Sequence, residues 1–157
     1  MHVSTALALI SATSLAAATP LQSRAVAKFA PGVLWDVVYD SSKVTLEQLK
    51  GANGTVIDID LLGRVAEEGN TDIAQLAETK QVICYFSAGS REDWRADAND
   101  FAPSDYGRGL ANGEDGEEWP GENWLNVKSN NVRAIIKRRI ESAAKAGCDA
   151  VEPDNVD

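Results

Sequence analysis

Val82-Ile83-Cys84-Tyr85-Phe86 is an apolar run with no polar alternation. A strand with one solvated face alternates apolar and polar residues, so an unbroken run reads as a strand covered on both faces, the habit of parallel sheets. Parallel neighbours need crossover connections, and the flanking sequence supplies them. Upstream, Val33 to Tyr39 and Thr55 to Asp60 are β-branched runs closed by turn residues, with a short helix from Val44 to Lys50 between them, stopped by Gly51 and Asn53-Gly54. Asn70 or Thr71 caps a helix that places Ile73, Leu76 and Ala77 on one face. Downstream, Ser129 caps the longest helix, whose stripe is Val132, Ile135, Ile136, Ile140, Ala143 and Ala144; Gly147 ends it and a last strand begins. Arg139 lies beside that stripe and is expected to pair with a nearby carboxylate. Alternation of this kind predicts an α/β fold with right-handed crossovers.

Carboxylates collect at the expected carboxyl ends of these strands: Asp60, then Glu92 and Asp97 with Arg91 and Arg95, then Glu152, Asp154 and Asp157. In α/β architectures chemistry gathers at that edge, because the loops after the strands meet there. Asp60 reads either as a turn residue or as a site residue. Pro153 has no N–H for a ladder and is expected to mark where pairing ends. The cluster suits cation coordination, glycoside hydrolysis or a cationic ligand. From Ser87 to Lys128 the chain reads as a long irregular segment rich in glycine and aromatic residues. Segments this long tend to carry function, and a ring face packs well on a sugar, so Trp94 and Trp124 are expected to line a sugar cleft. The alternative is a segment folded back as its own small core.

The net charge of -9 argues against a nucleic acid or an anionic membrane as partner and favours a cationic or neutral one. Residues 1–18 read as a secretory signal peptide, apolar and ending in Ala16-Ala17-Ala18; 19–31 read as a flexible lead-in and 32–157 as the folded domain. Asn53-Gly54-Thr55 is an N-glycosylation sequon. Cys84 and Cys148 are expected to be buried small hydrophobes on neighbouring strands, though an oxidising compartment would permit a bridge. Two cysteines and the single histidine, His2, cannot make a zinc site, and the mature chain offers no histidine to a nucleophilic triad.

Ile83-Cys84-Tyr85-Phe86-Ser87-Ala88-Gly89-Ser90 with Glu92, Trp94-Arg95 and Asp97, then Gly121-Glu122-Asn123-Trp124-Leu125, then Gly147 to Asp157 resemble glycoside hydrolase family 114, the endo-α-1,4-polygalactosaminidases. The resemblance runs from about Phe29 onward. It implies a (β/α)8 TIM barrel and retaining hydrolysis of α-1,4-linked, galactosamine-rich polysaccharide, with no metal or cofactor. It implies that Asp154 is the nucleophile; Glu152, two residues back and on the same face of a regular strand, is the alternative. Substrate contacts would come from Asp60, Tyr85, Glu92, Trp94, Arg95, Asp97, Trp124 and Asp157. Asn126 departs from the family, which usually has aspartate there. The acid/base glutamate is expected downstream of this sequence. A TIM barrel takes roughly 250 residues, so 32–157 are expected to form an amino-terminal half-barrel of about four βα units. Competing readings are an α-galactosidase acting on neutral α-galactosides, a non-catalytic carbohydrate-binding half-barrel, and a calcium module on Glu152, Asp154 and Asp157.

Overall fold

A computed structural model gives the fold and describes residues 29–40, 43–65, 70–110 and 119–156. The expected signal peptide, most of the lead-in and Asp157 lie outside these residues. Four strands form one parallel sheet in the order β1 (Trp35–Val38), β2 (Val56–Asp60), β3 (Gln81–Ser87) and β7 (Ala150–Asp154). Val37, Asp58, Ile83 and Ala150 run across it in register. Between the strands come α1 (Leu46–Lys50), α2 (Leu61–Val65), α3 (Asp72–Leu76) and α4 (Asn130–Ala146). This succession of parallel strands in chain order, separated by helices, is that of a partial TIM barrel.

The two faces of the sheet differ because side chains alternate along each strand. Ile57, Ile59, Val82, Cys84 and Phe86 point to the helices and are fully buried with Leu49, Leu61, Ile73, Leu76 and Ala143. Burial of such an aliphatic or aromatic side chain contributes about 1.5–3 kcal/mol, so this layer holds the sheet to its helices. The opposite face carries Trp35 and Val37 from β1, Asp58 and Asp60 from β2, Tyr85 from β3, and Glu152 and Asp154 from β7. It is the face that a barrel encloses, and Trp35 remains 62% exposed on it.

Both ends of α4 form where the sequence places them, whereas α1 begins at Leu46 instead of Val44 and α2 is a helix the sequence did not announce. Thr45 and Gln48 make a reciprocal capping box at α1. Ser129 Oγ accepts from Asn131 N and Val132 N at α4, and Gly147 closes that helix at φ 100, a left-handed conformation that only glycine adopts without cost. Arg139, 2% exposed, pairs with Asp97 through Nε at 2.8 Å and Nη2 at 2.8 Å and donates Nη1 to Ser87 O. The expected carboxylate partner is therefore Asp97, and the pair fastens α4 to the end of β3.

Three expectations are corrected. Cys84 and Cys148 are bridged, with Cα atoms 6.0 Å apart. Cys84 is buried on the helix side of the sheet and Cys148, partly buried, packs against that core from the turn after α4, so the two sulfurs meet as a bond rather than as a packing contact. The ladder also runs past Pro153, since Phe86 pairs with Pro153 and Ser87 with Asp154. Within the described sheet β7 is an edge strand, where a missing N–H leaves no partner wanting.

The third correction concerns Ser87 to Lys128, which holds a second, antiparallel sheet in the order β4 (Ser90–Glu92), β6 (Glu122–Leu125) and β5 (Tyr106–Gly109). Phe101, Tyr106 and Leu125 pack with Val132 and Ile135 of α4 as a small core of their own. The alternative of a segment with its own core therefore describes Phe101 and Tyr106, whereas Trp94 and Trp119 stay 55% and 59% exposed.

Candidate active site

A cleft of about 1030 Å³ opens where the carboxyl ends of the parallel strands meet the small sheet. Its floor is Tyr39, Asp60, Tyr85 and Asp154, one wall is Glu92, Arg95 and Glu122, and the rim carries Trp94, Trp119 and Pro120. Strand ends supply the floor and the insertion supplies the wall.

Asp60 starts a turn, as the sequence allowed, and also lines the cleft. Its Oδ1 accepts from Leu62 N at 3.1 Å, starting α2, and its Oδ2 accepts from Arg95 Nη1 at 2.6 Å. Arg95 grips Glu92 with Nε and Nη2, each at 2.8 Å, so one guanidinium joins two carboxylates. Burial would depress the Arg95 pKa, but those two carboxylates more than offset it and hold it above the ordinary value. The planar fork makes both contacts at once, which a lysine could not do. Asp60 and Glu92 thus share one positive charge, and the triad keeps a net negative charge.

Asp154 is different. It is exposed, and its Oδ2 accepts from the Tyr85 hydroxyl at 2.9 Å. Burial and then that hydrogen bond raise the Tyr85 pKa strongly, so the phenol remains a donor. Tyr39 packs against Tyr85 in a tilted arrangement with ring centroids 4.8 Å apart, and its own pKa is raised by burial and by Glu152, Asp58 and Asp154.

Glu152 sits one layer below, opposite Tyr85 in register. It meets Asp58, and the Oδ1 of Asp58 and the Oε2 of Glu152 are buried without a protein donor. Two carboxylates in contact are tolerable when they share a proton. Burial first, and then Glu152, push Asp58 up to about 8.

Glu122 is 8% exposed and accepts from Ser90 Oγ at 2.6 Å. Burial raises its pKa, Ser90 lowers it, Glu92 and Asp154 raise it, and Arg95 lowers it, for a net rise.

Of the residues singled out in the sequence, Asp60, Tyr85, Glu92, Trp94, Arg95 and Asp154 come together at the cleft. Trp124, Asp97 and Glu152 do not line it: Trp124 Nε1 is buried in β6 without a partner, Asp97 is turned to Arg139, and burial's upward pull on Asp97 is overcome by that arginine, which holds it below the usual range. Asp157 is outside the described residues. Asn126 is an exposed turn residue whose Oδ1 accepts from Lys128 N. Tyr39, Trp119 and Glu122 were not singled out, and neither was Asp58 as a site residue. Asp58 had a signal in sharing a strand face with Asp60, and Glu122 one in lying within the Gly121-to-Leu125 motif. Asn53 is exposed in the turn after α1. Among the described residues no group of three or more His, Cys, Asp or Glu side chains is arranged to hold a metal ion. No helix among them is long and apolar enough to cross a membrane.

The model of glycoside hydrolase family GH114 matches residues 16–157. This chain belongs to family GH114. Of solved structures, it is similar to Ega3 of Aspergillus fumigatus in complex with galactosamine, at 38% identity and a TM-score of 0.63 over 85% of this chain and 48% of that one. It is also similar to the glycoside hydrolase domain of PelA from Pseudomonas aeruginosa, at 16% identity and a TM-score of 0.55 over 78% of this chain and 44% of that one, a likeness of fold alone. No curated protein matches the chain. The GH114 chain described here spans about half the length of the structures it matches.

Proposed function

We propose that this chain carries the nucleophile of a secreted retaining glycosidase that cleaves α-1,4-linked, galactosamine-rich polysaccharide. The observation that carries the reading is the state of the cleft's carboxylates. Asp60 and Glu92 share Arg95, and Glu122 is buried, while Asp154 is exposed at a strand end and oriented by one neutral hydroxyl. An ionised, oriented and accessible carboxylate is what nucleophilic attack on an anomeric carbon requires.

Retaining geometry asks for a second carboxyl group about 5 Å away, which protonates the leaving oxygen and then activates water. On this reading that group comes from a strand downstream of Asp157, so residues 32–157 act as the amino-terminal half of a barrel. Asp60, Glu92, Glu122 and Asp154 against the single Arg95 leave the cleft net acidic, which favours a polymer bearing ammonium groups over a neutral one. The exposed rings of Trp94 and Trp119 give apolar faces for sugar C–H surfaces. The Cys84–Cys148 bridge and the exposed Asn53 sequon support secretion, with residues 1–18 removed and Asn53 glycosylated.

The test uses the full-length protein with a galactosamine polymer. Asp154→Asn should abolish turnover and spare binding, since the amide keeps the shape and loses the nucleophile. A near-normal kcat there, with the loss appearing in Glu152→Gln instead, would move the nucleophile to Glu152. Turnover of neutral α-galactosides alone would replace the substrate class, and binding without turnover by the unmutated protein would replace the enzyme with a carbohydrate-binding protein.

A further inference from the structure

The turn after β7 is tightly seated. Asn155 has φ 59, a left-handed conformation that asparagine tolerates better than most residues. A Cβ added at Gly89 would fall 1.6 Å from Asn155 O, so position 89 admits no side chain. Ala88 N and Gly89 N both donate to Asp154 O, at 2.8 and 3.2 Å. The backbone that presents Asp154 is therefore clamped from the side of β3.

The Asn155 side chain reaches further. Its Nδ2 donates to Ser87 Oγ at 3.0 Å and to Ser90 Oγ at 3.3 Å, and Ser90 N donates to Ser87 Oγ at 3.1 Å. A hydroxyl has one proton and two lone pairs. With two donors already on Ser87 Oγ, its own proton must go to Ser90 Oγ, 2.6 Å away. Ser90 Oγ then has both lone pairs occupied, and its proton goes to Glu122 Oε2 at 2.6 Å. The count leaves one direction only, from Asn155 through Ser87 and Ser90 to Glu122. Both serines are fully buried, so water does not compete for these protons.

We infer that Asn155 is a positioning residue that locks the Asp154 turn to the small sheet and orients two serine hydroxyls so that Glu122 faces the cleft as a hydrogen-bonded acceptor for a donor group of the sugar. The catalytic part of this inference rests on the function proposed above, whereas the relay itself does not. Glu122 is bordered by Glu92 on β4, Asp154 on β7, Arg95 on the loop after β4, and Tyr85 on β3. Removing the Asn155 amide leaves those charges in place and frees the serine protons to turn away. The carboxylate then loses a donor, and its proton affinity rises.

In the full-length protein, the titration of the Glu122 side-chain carbon is followed by NMR in the parent, in Asn155→Gly, which keeps the left-handed turn, and in Ser90→Ala, which removes the last donor. The midpoint should rise by about one pH unit in both variants. With a galactosamine polymer, kcat/KM should fall about tenfold in both, with the acid limb moving to higher pH. A Glu122 midpoint unmoved in both variants overturns the inference even if the rate falls, because a merely structural loss would not shift that titration. If Asn155→Gly does not fold, Ser90→Ala decides. A parent protein that binds the polymer without cleaving it counts against the proposed function, and the NMR titration still decides the relay.

Discussion

Tyr85 and Asp154 are joined by a 2.9 Å hydrogen bond that runs diagonally across the sheet, since the residue opposite Asp154 in register is Ser87 and the residue opposite Tyr85 is Glu152. The phenol thus reaches past its own layer to hold the carboxylate at the strand end. Tyr85→Phe removes only that oxygen and keeps the ring against Tyr39. In the full-length protein we expect kcat on a galactosamine polymer to fall about tenfold with little change in KM, because the loss is in carboxylate orientation. A Tyr85→Phe enzyme with parental kcat would show that Asp154 needs no such hold.

The Asp58–Glu152 contact makes stability depend on pH. The folded pKa of Asp58 is raised to about 8 by burial and by Glu152, so the folded state binds a proton that the unfolded chain releases near its ordinary value of 3.8. The contribution of Asp58 to stability is therefore fully present below that ordinary value and is lost as pH rises towards 8. Asp58→Asn supplies a permanent donor of the same shape. It should raise stability at neutral pH by on the order of 1 kcal/mol or more and flatten the profile between about pH 4 and 8. Denaturant midpoints of the two proteins at several pH values would show this, and parallel profiles would count against a shared proton.

Much of this fold is legible in the sequence because it is written in local pattern. The unbroken apolar run of β3, the cap at Ser129 and the stop at Gly147 each depend on residues within a few positions of one another, and each element formed there. The antiparallel sheet was not legible: β4, β5 and β6 have three or four residues each, contain Arg91, Gly107 and Gly109, and pair across as much of the chain as separates Ser90 from Trp124. Glu122 joins the cleft only through that pairing. The disulfide was missed for a related reason, as Cys84 and Cys148 are 64 residues apart and meet only once α4 has packed. At the strand ends, Asp60, Glu92 and Asp154 could be picked out by position, but Arg95's division between two of them depends on side-chain geometry.

The disulfide closes a long loop, and in the chain-entropy account a loop of that length contributes about 4 kcal/mol by restricting the unfolded chain. Cys84→Ala with Cys148→Ala should lower stability of the full-length protein by about 2–4 kcal/mol while leaving the cleft intact, since the bond lies on the helix side of the sheet. Unfolding curves of the parent with and without reductant give the same comparison without mutation. An unchanged midpoint in both experiments would mean that packing alone holds α4 and β7 against β3.

Arg139 presents the sharpest case of a charge used for structure. It is 2% exposed, pairs with both oxygens of Asp97, and donates to Ser87 O at the end of β3, whose side chain belongs to the Asn155–Ser90 network. Its ring neighbour is Phe101, 5.8 Å from the guanidinium carbon, so the arginine also roofs the small core beneath the antiparallel sheet. Arg139→Met keeps much of the volume but leaves Asp97 and the Ser87 carbonyl without their donor. Loss of one partner of a buried pair costs about 3–5 kcal/mol, and we expect a destabilisation of that order. The paired substitution Arg139→Met with Asp97→Leu should recover a large part of it, because no uncompensated charge then remains. If the double variant is as unstable as the single one, the Ser87 carbonyl, not the ion pair, is what the arginine secures. Catalytic activity of the double variant then tells the two roles of the region apart: an arginine that only fastens α4 leaves the kcat of the folded fraction near parental, whereas one that also sets Ser87 lowers kcat together with the Glu122 titration described above.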